Sequence, residues 1–289
     1  MKASRFARNL VFYLIIAVIL VLFLFPIFWL GNLSLKASYL DFFSEQPLFV
    51  MYKISFDYYL DLFSPFEHQL MTIVTWGEKL TPRLMNSLIV ALSSTVISLA
   101  LGTPAAYGFA NLKFRGKKDM LFYFLTTRMI PPISMAVPFF VMWTFLGLID
   151  TYPGIIATHV IINLSFVIWV MTGFFGELPK EMIEASIVDG ASQIQSFLRV
   201  ALPLSLPGLA STAVFCMIFS WNDFLYALVL TGTTTQTMPV AVTGFRTANE
   251  IRWGSFTAAG FFTIIPIFIF TLLIQKYIVR GMTLGAVRG

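Results

Sequence analysis

Cysteine, histidine and charge are all scarce in this chain. One cysteine, Cys216, excludes an internal disulfide and any cysteine-based zinc site. The two histidines, His68 and His159, lie 91 positions apart and supply no His-based metal motif, so no metal is expected. There is no H-E-x-x-H, no G-x-S-x-G and no G-x-x-x-x-G-K-[ST] phosphate loop. Without a convergent acid, base or metal set, catalysis has no visible residues to work with. Charged residues make up 11% against 58% hydrophobic, where a soluble domain carries about 25% and about 45–50%. An ordinary soluble globular domain is therefore excluded. The net charge of +5 would suit a nucleic acid, but its distribution suits a membrane, and no nucleic-acid partner is expected.

What the chain does have is long runs without charge. Leu10–Leu35, Leu84–Leu112, Thr151–Gly176 and Trp253–Gln275 carry none; Met120–Ile149 carries only Arg128, and Val200–Phe245 only Asp223. About 20 apolar residues span a hydrocarbon core, and backbone in lipid must satisfy its own hydrogen bonds. The expected fold is all-α, a polytopic membrane protein of six helices at about 10–30, 86–110, 120–146, 152–175, 204–230 and 255–277. Barrel strands would be shorter and would alternate. The first run is too long for the apolar core of a signal peptide and lacks a clean cleavage site, so it reads as a retained helix.

Twelve of the 19 Lys and Arg fall on segments assigned inside, six outside, and Arg128 lies within a span. The densest cluster, Lys113, Arg115, Lys117 and Lys118, occupies a short loop, where the positive-inside bias is strongest. Both termini are expected in the cytoplasm. A single membrane domain covers 1–289, with a long outer loop at 31–85, an inner loop at 176–203 and a cytoplasmic tail at 278–289.

The inner loop reads GELPKEMIEASIVDGASQIQSFLRVALPLSLPG. Pro179 suits a helix start, and Glu181 and Glu184 suit its positive end. Met182, Ile183, Ser186, Ile187 and Gly190 share one stripe of a short helix, which Gly190 can stop in a left-handed conformation. A second short helix is expected from about Ala191 to Val200, ending before Pro203. The exposed apolar face either lies on the headgroups or docks on a partner.

The string Glu184-Ala185-Ser186-x-x-Asp189-Gly190-Ala191, with Phe197 and then Leu202-Pro203-Leu204-x-x-Pro207, resembles the EAA loop of ABC importer permeases. It departs from the E-A-A-x-x-D-G-A pattern at Ser186, where the family usually has another small residue, Ala. Ser34-Leu35-Lys36, Asn86-Ser87-Leu88, Ala105–Ala110, Gly147-Leu148-Ile149-Asp150-Thr151-Tyr152, Trp221-Asn222-Asp223 and the ending Arg280–Gly289 are similar to the maltose-type carbohydrate branch, in particular its smaller six-helix permease. The resemblance runs from about residue 30 to the end and implies a type I importer fold. It implies that Glu184, Ala185, Ser186, Asp189, Gly190, Ala191 and Pro203 couple the chain to a separate ATPase. It implies a second related permease, an ATPase dimer holding ATP and magnesium, and an extracytoplasmic solute-binding protein. This chain would itself bind no cofactor. The tail, through Gly281, Gly285 and Gly289, is expected to be flexible and to reach the ATPase pair.

A carboxylate inside a span costs about 2.5–3.5 kcal/mol, so Asp223 should face a cavity or a partner. Two readings stand: Trp221, Asn222 and Asp223 line the solute path, or Asp223 is a clasp to a neighbouring helix or to the paired permease. Arg128, followed by a helix-breaking Pro131-Pro132, either marks the inner end of the path or a gate, or pairs with Asp223 or a carbonyl. His159 and Cys216 read as packing residues.

The resulting expectation is a permease subunit of a bacterial or archaeal cytoplasmic-membrane importer for a carbohydrate or polyol, with glycerol and glycerol phosphate among the solutes. A self-contained secondary transporter is the alternative.

Overall fold

The computed structural model describes residues 2–36, 54–63, 80–245 and 253–286. Much of the outer loop at 31–85, together with His68 and Gly289, lies outside them. The described residues form helices and turns, with one isolated antiparallel bridge, Lys36 to Ile54. In order they are α1 (Lys2–Ser34), α2 (Asp57–Phe63), α3 (Leu80–Asn111), α4 (Lys117–Thr127), α5 (Pro132–Phe145), α6 (Tyr152–Gly176), α7 (Lys180–Val188), α8 (Gln193–Ser196), α9 (Leu206–Trp221), α10 (Leu225–Leu230), α11 (Met238–Thr243) and α12 (Trp253–Ala286).

Helices α1, α3, α6 and α12 are each long and apolar enough to cross a membrane. Two bent pairs bring the number of spans to six if each counts as one: α4 with α5, turning by 94°, and 193–204 with α9, turning by 77°. The first bend falls where Pro131 and Pro132 remove two successive donors, as the sequence predicts. Single prolines at 26, 104 and 266 leave α1, α3 and α12 unbroken. Helix α6 is started by Thr151, whose Oγ1 accepts from the Gly154 amide at 3.3 Å.

Three boundaries differ from expectation. The helix beginning at Gln193 does not stop before Pro203; it passes through a π-turn at Phe197–Ala201 and through Leu202–Leu204, and breaks at Ser205. The fifth span is split, because Asn222, Asp223 and Phe224 separate α9 from α10. The described part of the tail is helical rather than loose: α12 runs through Gly281 and Gly285 to Ala286.

The chain divides into two compact units, Met1–Thr81 with Ala241–Ile265, and Pro82–Val240 with Pro266–Gly289. In the first, the Ser34 hydroxyl meets the Tyr59 hydroxyl at 2.7 Å, and Gly254 leaves room for the Tyr58 ring. The apolar side chains of α1 from Leu10 to Leu14 and from Val18 to Phe25 are exposed.

In the second unit, α6 packs on α4, α9 and α10. Close approach is built on small residues: a Cβ at Gly208 would fall 2.5 Å from the Phe174 ring, and one at Gly102 2.6 Å from Val167. One core joins Trp143, Ile155, Tyr226 and Leu230. Another joins Tyr107, Met171, Phe175, Ile183, Phe197 and Cys216. A third surrounds Trp221 with Ala91, Met217, Ile267 and Phe270. Cys216 is fully buried and packs as a small apolar residue.

Candidate functional site

The loop between α6 and α9 is two short helices held at a fixed angle by local chemistry. Helix α7 ends in a Schellman motif: the Ala191 amide reaches the Ser186 carbonyl and the Gly190 amide the Ile187 carbonyl, both at 3.0 Å. Gly190 has φ +90°, with nothing within 4 Å of a Cβ placed there. A side chain would therefore cost backbone strain, about 1–2 kcal/mol, rather than a collision. Helix α8 opens with a capping box between Ser192 and Gln195. The Ser186 hydroxyl donates to the Ile183 carbonyl at 2.7 Å and meets the Ser196 hydroxyl at 2.7 Å. The residue that departs from the E-A-A pattern thus ties the two helices together.

The apolar stripe faces both ways. Ile183 points inward and is buried with Phe197 against Tyr107 of α3 and Phe175 of α6. The Tyr107 ring lies 5.6 Å from Phe175 and 5.1 Å from Phe197, edge-on to the first. The outward apolar face is Met182, Ile187, Val188, Ile194 and Leu198, with Val188 86% and Ile194 71% exposed. Val188 lies off the expected stripe at the end of α7, and Ile194 follows the left-handed turn at Gly190, which a single helical period does not encode. Glu184, Ala185 and Asp189 are exposed beside this face, Ala191 is half-buried, and Pro203 is exposed within Leu202–Leu204.

A polar cluster occupies the helix interior. Asp223 sits at the break before α10, where its Oδ2 accepts from the Ala227 amide at 3.0 Å and its Oδ1 from the Tyr226 amide at 3.4 Å. The same Oδ2 meets His159 Nε2 at 3.1 Å, with the side chains 14% and 3% exposed. Asp223 is therefore clasped to α6, and the partner is the histidine read as mere packing. A helix break and an opposed His in two apolar runs were the available signals. Nearby, Asn163 and Ser94 both donate to the buried Ser220 hydroxyl, at 2.9 and 3.0 Å. A cleft of about 50 Å³ opens beside His159, Asn163, Ser220 and Asp223.

Two expectations near this cluster are corrected. Arg128 is not paired with Asp223; its guanidinium lies 4.9 and 4.8 Å from the Phe166 and Phe219 ring centroids, a cation–π contact. Trp221 offers no platform at a surface, since it is 1% exposed and enclosed by the third core, whereas Asn222 is exposed.

Motif residues that the sequence left without a role meet in a third place. Asp150 adopts φ 54° and accepts from the Gly232, Thr234 and Thr235 amides and the Thr235 hydroxyl at 2.8–3.1 Å. Asn86 donates to the Thr234 and Gln236 carbonyls and accepts from the Tyr152 hydroxyl at 2.6 Å. Ser87 accepts from the Met238 amide at 2.8 Å. The N-S-L and G-L-I-D-T-Y segments are thus the two sides of a staple over 231–238. Burial pushes the Asp150 carboxyl up, but the hydrogen bonds from Thr235, Gly232 and Thr234 outweigh it and hold it at about 2, below the ordinary 3.8. A depressed pKa contributes stability that is complete above 3.8 and is lost as pH falls toward 2. Asp150→Asn is expected to lower the thermal midpoint at neutral pH, with the gap to wild type closing below about pH 4. A gap unchanged from pH 7 to pH 3 would remove the carboxylate from this role.

Among the described residues, no group of three or more His, Cys, Asp or Glu is placed to hold a metal ion.

The model of the binding-protein-dependent transport system inner membrane component family matches residues 98–284, which include the α7–α8 loop, Asp150 and Asp223. The trehalose transport system permease protein of Mycobacterium tuberculosis is 35% identical over 92% of this chain and 93% of its own length. The trehalose/maltose transport system permease protein of Thermococcus litoralis is 34% identical over 96% of each. A chain from the crystal structure of a bacterial ABC transporter involved in import of the acidic polysaccharide alginate has the same fold, with a TM-score of 0.75, 23% identity, and 95% of this chain and 98% of that one covered. With apolar helices to cross a bilayer, two bent pairs, and the family's pattern across 98–284, this chain belongs to the inner membrane components of binding-protein-dependent transport systems.

Proposed function

We propose that this chain is one of two related permease subunits of an ATP-driven sugar importer, and that its α7–α8 loop is the surface on which a separate ATPase docks. The observation that carries this reading is the two-sidedness of the loop. Its inward residues, Ile183 and Phe197, are locked to α3 and α6 through Tyr107 and Phe175, while its outward residues form an apolar face that no described residue covers. A push on that face moves the helices with it. Glu184 and Asp189 orient the docked helix by charge, Ala185 and Ala191 allow close approach, Gly190 and Ser186 fix the turn, and Pro203 lies where the chain re-enters the bundle. ATP and magnesium are held by the ATPase dimer. An extracytoplasmic binding protein delivers solute on the side of the Asp150 staple, and both chain termini face the cytoplasm. If the end of α12 reaches the ATPase pair, it does so as a helix carrying Gly281 and Gly285, with Gly289 beyond the described residues.

The names of the relatives favour a disaccharide such as trehalose or maltose over glycerol or glycerol phosphate. Asn222 and Arg128 are the residues we assign to the solute path, with Asp223 shaping it through its bond to His159 and Trp221 supporting it from behind.

The test is uptake into vesicles carrying the complete complex. Radiolabelled trehalose or maltose is expected to accumulate only with ATP and binding protein present, without competition from glycerol phosphate. Uptake driven by an ion gradient in the absence of ATP would favour a secondary transporter and overturn the reading.

A further inference from the structure

Between α4 and α6 runs an open groove of about 530 Å³ that no role above uses, with Leu121 and Leu125 on one wall and Trp169, Gly173 and Phe174 on the other. Its lining includes a single charged residue, Glu177, at the same end of the bundle as the basic cluster 113–118. From Trp169 to Glu177 the groove follows α6 for about 12 Å, the depth of much of one lipid leaflet.

Glu177 is in an electrostatically poor position. It caps the C-terminus of the 25-residue α6, where the helix dipole is negative, and its carboxylate has no partner among the described residues. An ammonium beside it would satisfy both. Lys118 stands three and seven residues before Leu121 and Leu125, hence on the same face of α4 and one turn closer to the headgroups. Its neighbour Lys117 is already engaged, donating to the Ala110 and Leu112 carbonyls at 3.2 and 3.4 Å. Lys118 is exposed and has no side-chain partner among the described residues.

We propose that the α4–α6 groove is a binding site for phosphatidylethanolamine. One acyl chain lies along Leu121, Leu125 and Trp169, the phosphate meets Lys118 and the ammonium meets Glu177. An anionic headgroup without an amine would be repelled by Glu177, and a quaternary choline has no N–H to donate to it. The site joins the first half of a bent span to α6, so an occupied groove would brace the element that carries Arg128.

The test uses the full chain with the subunits that co-purify with it, in nanodiscs containing equal amounts of phosphatidylethanolamine, phosphatidylcholine and phosphatidylglycerol. Lipid retained on the protein is measured by native mass spectrometry. Phosphatidylethanolamine is expected to be enriched over both competitors. Glu177→Gln should reduce that enrichment about three- to fivefold, as for one exposed ion pair. Lys118→Gln should weaken retention of all three lipids alike. Gly173→Leu should displace the lipid without disturbing the helix, because a Cβ at Gly173 meets nothing within 4 Å. Equal retention of the three lipids by the wild type, or enrichment that survives both Glu177→Gln and Gly173→Leu, overturns the proposal. So does efficient cross-linking of a Gly173→Cys variant to the second permease, which would make the groove a protein–protein contact.

Discussion

Replacing Val188 and Ile194 together by aspartate is expected to abolish solute uptake while leaving the chain inserted and folded. Both side chains point away from the bundle and enter none of its cores, so their loss removes no internal packing. The turn that presents them is held by other groups: the Schellman bonds at Gly190 and Ala191, the Ser192–Gln195 box and the Ser186–Ser196 bond. On a docked partner, each apolar side chain contributes about 1.5–3 kcal/mol of burial. A carboxylate in its place must instead be desolvated. Two such changes exceed about 4 kcal/mol, roughly three orders of magnitude in affinity. The readouts are co-purification of the ATPase and sugar uptake in vesicles. Gly190→Val and Glu184→Lys should act in the same direction, the first through left-handed strain and the second through the reversed edge charge. Ile183→Ala and Phe197→Ala should separate the two functions of the loop. They leave the outer face intact but open a cavity against Tyr107 and Phe175, at a cost of about 2–5 kcal/mol, so the ATPase should still bind and hydrolyse without driving transport. Normal uptake by the Val188→Asp, Ile194→Asp double variant would remove the loop from energy coupling.

Asp223→Ala is expected to produce the second large effect, a loss of fold stability that precedes any loss of transport specificity. The aspartate satisfies His159 Nε2 and the Tyr226 and Ala227 amides in the first turn of α10 at once. Deleting it strands a nearly buried imidazole whose Nδ1 already has no hydrogen-bond partner among the described residues. Leaving a buried donor unsatisfied costs about 1–3 kcal/mol, with about 1 kcal/mol more for the lost cap. Asp223→Asn should be milder, because the amide oxygen can still accept from one backbone N–H and the amide nitrogen can donate to the other tautomer of His159. The measurement is thermal unfolding in nanodiscs alongside uptake. If Asp223→Ala keeps the wild-type midpoint yet loses transport, the carboxylate acts on solute and the clasp is incidental.

The sequence alone carried a good deal of this. Charge-free runs located α1, α3, α6 and α12 because a bilayer accepts only long apolar helices at those positions. Pro131-Pro132 announced its bend because two adjacent residues without amides cannot both be accommodated in a helix. Gly190 announced its left-handed turn because it lacks a Cβ, and the E-A-S-x-x-D-G-A string pointed to the family. These are local properties, written in neighbouring residues.

Tertiary structure decided the rest, wherever the deciding partner is remote in sequence. Ile183 and Ile187 are both apolar and four residues apart, yet only the presence of Tyr107 and Phe175 turns one inward and leaves the other outside. Arg128 lies against two phenyl rings, and Asp223 is bonded by His159, 64 positions before it. Asp150 and Asn86 close one staple over residues more than 80 positions away. A one-dimensional pattern records which face of a helix is apolar; which polar groups meet inside the second unit depends on how its helices pack, and that is fixed by close contacts such as Gly208 on Phe174 rather than by periodicity.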